Sequence, residues 1–165
     1  MNIRRIQPKD NALLKTIIID VLKSFGAKGP GYASQDEELN YLSDFFNKPK
    51  SAYWIIVDRQ DTVLGGAGVG PLKGSQGGWC ELQKMYFKPE LRGLGFGKKL
   101  IERCLAFAVQ QGFENCYLET LPNMTAAQKL YRLNGFEYIN TRMGATGHTS
   151  CDVFMAKKLH QSELR

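Results

Sequence analysis

Hydrophobic positions change their period along the chain, and each change predicts an element. Ile3 to Gln7 can form a short first strand, which Pro8 ends. Asp10 then stands where a helix N-cap is expected. Leu14, Ile17, Ile18, Val21, Leu22 and Phe25 recur at intervals of three and four, the stripe of an amphipathic helix, and Gly26 is placed to terminate it. Residues 26–33 read as a loop. Ser34 and Glu37 have the form of a capping box, so a second helix is predicted, with Leu39, Leu42 and Phe46 inward and Pro49 just past its end.

The period then shortens. Ala52 to Val57 predicts a strand, Gln60-Asp61 a turn, and Thr62 to about Leu72 a return strand. Gly65, Gly66, Gly68 and Gly70 make that return strand bent or closely approached by other backbone. After a turn at 73–78, Trp79 to Phe87 completes a meander. Leu100, Ile101, Cys104, Leu105 and Ala108 restore helical spacing until Gly112. A strand at Cys116–Thr120 follows, then a helix from Asn123 to Asn134 closed by Gly135-Phe136. Strands at about Tyr138–Met143 and Asp152–Lys158 finish the chain. The prediction is one α/β domain over residues 1–165, antiparallel in its first half, with a β-α-β crossover after Phe87.

Composition narrows the function. With 43% hydrophobic and 23% charged residues the chain can bury a core and is not disordered. No apolar run approaches the roughly 20 residues of a membrane span, and the first residues lack the apolar stretch of a signal peptide, so a cytoplasmic protein is expected. The four cysteines form no CxxC pair and read as reduced thiols, Cys104 and Cys116 in the core. His148 with Cys151 is a weak metal signal, and no metal is expected. The net charge of +6 suits a polyanionic partner. Residues 84–103 hold six basic side chains against two acidic ones, four of the six net charges. No broad basic stripe with exposed aromatics accompanies them, which argues against nucleic acid.

The concentrated charge surrounds a glycine loop, Arg92-Gly93-Leu94-Gly95-Phe96-Gly97-Lys98, between a strand and a helix. Free amides and the helix dipole make such a junction an anion site. A P-loop would need Ser or Thr after Gly97-Lys98, where Lys99 stands. A dinucleotide fingerprint would need glycine at Lys98 or Leu100. The pattern present is [R/Q]xxGxG, at Arg92, Gly95 and Gly97. With this loop, the strand Glu81–Phe87 before it and Leu130-Tyr131-x-x-x-Gly135-Phe136 after it, the sequence resembles the GNAT family of N-acetyltransferases over most of residues 79–136.

The resemblance implies a mixed, mostly antiparallel sheet of about seven strands flanked by about four helices. It implies acetyl-CoA as co-substrate. The amides of Arg92, Gly93, Leu94, Gly95, Phe96, Gly97 and Lys98 would hold its pyrophosphate, and the backbone of Met85, Tyr86 and Phe87 its pantetheine arm. The acetyl group would pass to a primary amine of a small molecule or peptide by direct attack, and, because dimers are common among such domains, a homodimer is the expected assembly. Tyr131, on a helix face with Met124 and Ala127, would face the CoA sulfur as proton donor, against the alternative of a core tyrosine. Glu81 is the candidate base, against the alternative of a cross-strand carboxylate. Strand alternation puts Glu81, Gln83, Met85 and Phe87 on one side unless a bulge intervenes. His148 reads as an exposed loop residue or an alternative base. Asn123 reads as a helix N-cap, with a cofactor contact as the alternative, because Met124 holds the place where the family often has Asn. A non-catalytic CoA-binding regulatory module is the competing function.

Overall fold

The computed structural model describes residues 1–164. Seven strands, β1 (Asn2–Arg5), β2 (Ala52–Val57), β3 (Val63–Pro71), β4 (Trp79–Phe87), β5 (Asn115–Thr120), β6 (Glu137–Ile139) and β7 (Val153–Lys158), form one sheet in the order β1-β2-β3-β4-β5-β7-β6. Every pairing is antiparallel except β4 with β5. The four α-helices are α1 (Asn11–Ser24), α2 (Leu42–Phe45), α3 (Phe96–Gln110) and α4 (Thr125–Leu133). None of them is long and apolar enough to cross a membrane.

Both faces of the sheet are covered, and β2 shows how its sequence achieves this. All six of its residues are buried. Trp54 and Ile56 join the cluster around α3, whereas Tyr53, Ile55 and Val57 join the cluster around α1. Each large apolar side chain so placed contributes about 1.5–3 kcal/mol. The β3 glycines make room on these faces. A Cβ on Gly66 or Gly68 would lie 2.5 Å from the Tyr53 ring, and one on Gly68 also 2.7 Å from Phe46. At these two positions it is aromatic rings, rather than backbone alone, that approach the strand.

α1 ends as its sequence predicts. Gly26, at φ +75°, donates to the Lys23 carbonyl and Ala27 to that of Leu22, a Schellman closure. Its beginning differs. Asp10 makes no cap hydrogen bond; its carboxylate accepts from Arg4 at 2.8 and 3.0 Å and from the Gln7 amide at 2.7 Å. The buried carboxylate is claimed by a stronger, charged donor than a helix amide. The predicted second helix is also broken, into 3₁₀ turns at Ala33–Gln35 and Glu37–Asn40 followed by the single turn of α2. Ser34 forms no capping box; its hydroxyl is buried without a partner among the described residues.

β4 carries the irregularity that matters most. Glu81, Leu82 and Gln83 pair with Gly70, Val69 and Gly68, but Tyr86 and Phe87 pair with Gly66 and Gly65. One extra residue is therefore accommodated at Lys84–Met85 opposite Ala67, a β-bulge. Lys84 has φ +50°, and the Tyr53 hydroxyl donates to its carbonyl at 2.7 Å. The bulge overturns simple alternation: Tyr86 joins Glu81 and Gln83 on the α1 face, while Met85 and Phe87 pack with the α3 cluster.

Candidate active site

β4 and β5 pair only from Trp79 to Glu81 against Asn115 to Tyr117. Beyond that point β4 turns toward the glycine loop and β5 runs on beside β7, so the sheet opens. The α3 end of the opening is a cleft of about 500 Å³. It is walled by Met85, Tyr86 and Phe87 of β4, by the loop at Arg92, Gly93, Gly95, Gly97 and Lys98, and by Tyr131 of α4. Gly95 caps α3 at φ +78°, a conformation other residues adopt at a cost. The amides of Phe96, Gly97 and Lys98 then lie in the first helical turn, where no intrahelical acceptor exists. Gly97 is needed for a different reason: a Cβ there would come within 2.6 Å of Leu130.

Two residues of the loop stand apart from the cleft. Leu94 is 54% exposed, and the Phe96 ring packs against the α3 core. Their side chains do not line the cleft. Further walls come from Phe25 at the end of α1 and from Asn123. Asn123 is not an N-cap. Its side-chain amide donates to the Phe25 carbonyl at 2.9 Å, and Met124, with no capping side chain, occupies the N-cap position.

On the α1 face lies a second, smaller cavity of about 60 Å³, bordered by Glu81, Lys84, Glu119, His148 and Cys151. Met85, Tyr86, Met124, Ala127 and Tyr131 border both cavities, so the two meet at the opening between β4 and β5. Tyr131 is 6% exposed and is fixed at this junction by the end of its helix. Gly135, at φ +88°, and Phe136 donate to the Arg132 and Tyr131 carbonyls, and the Phe136 ring packs edge-on against Tyr131 at 6.1 Å.

The profile of the Acetyltransferase (GNAT) family matches residues 18–136. The chain belongs to the GNAT acetyltransferase family. It is 40% identical over 157 residues to the uncharacterized N-acetyltransferase YjgM of Escherichia coli (strain K12), covering 94% of this chain and 93% of the relative. Its fold is similar to that of a GNAT-family acetyltransferase from Staphylococcus aureus Mu50, with TM-score 0.85 and 20% identity over 96% of this chain and 99% of that one. It is also similar to PaiA N-acetyltransferase from Thermoplasma acidophilum in complex with coenzyme A, with TM-score 0.73 and 20% identity over 95% and 98% of the two chains.

In this GNAT domain the smaller cavity is strongly charged. Glu81 is 7% exposed, and no hydrogen bond holds its carboxylate among the described residues. Burial raises its pKa to about 7, with the positive charge of His148 working against the shift and the negative charge of Glu119 reinforcing it. His148 is not an exposed loop residue. Its Nε2 meets Asp36 Oδ2 at 2.8 Å, and although burial disfavours its cation, this hydrogen bond raises its pKa. Burial likewise opposes the Asp36 anion, but His148 and Lys84 together hold its pKa down. Lys84 pairs with Asp36 and, at 3.4 Å, with Glu38. These contacts recruit the 3₁₀ segment into the site.

His148 and Cys151 do converge with Glu119, their donor atoms lying within 4.8 Å of one another. Glu119 Oε1 accepts hydrogen bonds from the Tyr117 hydroxyl at 2.9 Å and the Thr146 hydroxyl at 2.8 Å. Burial pushes the Cys151 thiol up to about 12, so it is protonated at neutral pH. Burial also raises the Tyr131 phenol above its ordinary value, which keeps its proton in place. Sequence alone does not single out Lys84 or Glu119 for the site, and it offers Cys151 only as a weak metal signal. Only the fold brings them beside Glu81.

Proposed function

We propose that this protein is a cytoplasmic, acetyl-CoA-dependent N-acetyltransferase that moves the acetyl group to a primary amine by direct attack. The observation that carries the reading is the wall that the larger cleft and the smaller cavity share at the opening between β4 and β5, with Tyr131 in it. The amides of the α3 N-terminus and the basic residues Arg92 and Lys98 suit a diphosphate, and Met85 to Phe87 offer backbone to an extended pantetheine arm. The thioester would then lie at the junction, where the bulge at Lys84–Met85 interrupts strand pairing and leaves backbone N–H near Met85 or Tyr86 for the oxyanion.

The chemistry requires an amine to lose a proton. A free carboxyl with a pKa of about 4.3 is a weak base for this step, whereas Glu81 with a pKa near 7 is better matched to neutral pH. An intervening water can relay the proton. The amine nitrogen attacks the thioester carbonyl, gives up its remaining surplus proton through water to solvent, and the tetrahedral oxyanion collapses with departure of the CoA thiolate. Tyr131, kept protonated by burial, donates its hydroxyl hydrogen bond to that sulfur as the C–S bond breaks. No metal is required by these steps.

The test is release of free CoA thiol from acetyl-CoA across a panel of primary amines, read with a thiol-reactive dye and confirmed by mass of the acetylated product. Amine-dependent thiol release is expected. Binding of acetyl-CoA, seen as a raised melting temperature, with no turnover of any amine would instead favour the non-catalytic CoA-binding module.

A further inference from the structure

The smaller cavity holds a second acidic group with a free valence. Glu119 Oε1 is committed to the hydroxyls of Tyr117 and Thr146, which fix the orientation of the carboxylate. Its Oε2 is buried and has no partner among the described residues. A buried carboxylate oxygen left without a donor is costly, and native proteins seldom keep one without a use. Glu81 is the second unpartnered carboxylate bordering the same cavity, on the neighbouring strand. The cations bordering it, Lys84 and His148, are both engaged with Asp36. Among the described residues no free cation therefore lines the cavity to receive an anionic substituent, whereas two carboxylates await a donor.

Space adds a limit. A volume of about 60 Å³ corresponds to roughly four or five water-sized groups. The loop after residue 143 closes one side: Ser150 donates from its backbone to the Gly31 carbonyl at 3.1 Å and from its side chain to that of Pro30 at 3.2 Å. His148 of the same loop reaches Asp36.

Resting on the N-acetyltransfer reading above, we propose that Glu119 Oε2 is the anchor for the acceptor ammonium, and that the acceptor is a compact primary amine bearing no carboxylate near its nitrogen. The ammonium donates one hydrogen to Glu119 and presents another toward Glu81, which removes it before attack. Glu119 holds and does not take the proton, so it is a specificity-determining residue. An α-amino acid would bring its own carboxylate against Glu81, Glu119 and Asp36, with Lys84 and His148 already occupied.

The experiment measures acetylation of paired acceptors that differ in a carboxylate: ethanolamine against glycine, and propylamine against β-alanine. The uncharged-tail amines are expected to exceed their acidic partners by at least about tenfold in kcat/KM, the scale of a buried charge mismatch. In Glu119→Gln, whose amide oxygen can still accept from Tyr117 and Thr146, KM for ethanolamine is expected to rise about tenfold or more while acetyl-CoA affinity stays within twofold. Glu119→Asp, which keeps the charge, should recover part of that loss. A second readout needs no turnover: with CoA bound, ethanolamine should raise the melting temperature of the wild type and not of Glu119→Gln. Equal use of glycine and ethanolamine, or an unchanged KM in Glu119→Gln, overturns the assignment while leaving N-acetyltransfer intact. Failure of every amine to be acetylated by a protein that binds acetyl-CoA removes the proposed function, and this inference with it.

Discussion

The two halves of the site are made from different materials. The larger cleft is mostly backbone and apolar surface: the end of β4, a run of glycines and a helix N-terminus between Met85 and Lys98, closed by α4 and the end of α1. The smaller cavity sets the charged side chains Glu81, Lys84, Glu119 and His148, drawn from β4, β5 and the loop before β7, among apolar ones. A ligand such as a diphosphate can be held by amides that any sequence supplies, provided glycine permits the turn. Selecting one amine requires particular side chains, and these come together only when distant segments meet.

The largest separation of the halves should come from Gly95→Asp. Its Cβ would meet open space, so the domain should fold at a conformational cost of about 1–2 kcal/mol. The carboxylate would nevertheless oppose the diphosphate, and acetyl-CoA affinity measured by calorimetry should fall by at least about a hundredfold. Retained affinity would break the division by showing that the phosphates bind elsewhere.

Next in size, Tyr131→Phe should lower kcat by about a hundredfold with acetyl-CoA affinity within twofold, the pattern of a group acting on the leaving thiolate. Equal activity would make Tyr131 a packing residue shared by the two cavities. Glu81→Gln should lower kcat by about tenfold to a hundredfold and remove the acidic limb of the kcat/KM profile, whose midpoint in the wild type should lie near pH 7. Its stability effect has the opposite sign. The folded protein keeps the Glu81 proton to about pH 7, whereas an unfolded chain releases it near pH 4.3, so wild-type stability declines between those values. Glu81→Gln should match the wild type below pH 4 and exceed it above pH 7, by up to roughly 4 kcal/mol in chemical denaturation.

Smaller still is Asn123→Ala, which removes the hydrogen bond to the Phe25 carbonyl at the rim of the larger cleft. A loss of about 0.5–1 kcal/mol in unfolding free energy, with turnover nearly unchanged, is expected for this exposed bond. A large loss of acetyl-CoA affinity would instead make it a direct cofactor contact.

The same division explains what could be read before folding. The glycine loop, the strand before it and the Schellman closure at Gly135-Phe136 are local in sequence, and periodicity with turn chemistry locates them within a few residues. The broken second helix was less legible because Ser34 and Glu37 match a cap by type, while Asp36 and Glu38 are drawn instead to Lys84. The β4 bulge leaves no periodic mark between Gln83 and Tyr86; its imprint is the pairing with β3. Glu119 is one acidic residue in a short strand until Tyr117 and Thr146 orient it. His148 reads from sequence as an exposed loop residue or an alternative base, because Asp36, the partner that holds it, lies more than a hundred positions earlier in the chain.

The parting of β4 from β5 has a kinetic consequence. If one reactant approaches through the α3 side of the sheet and the other through the α1 side, neither has to leave before the other arrives. Initial velocities measured against both reactants should then give intersecting double-reciprocal lines rather than parallel ones. Acetyl transfer would wait for the moment when both doors are filled at once.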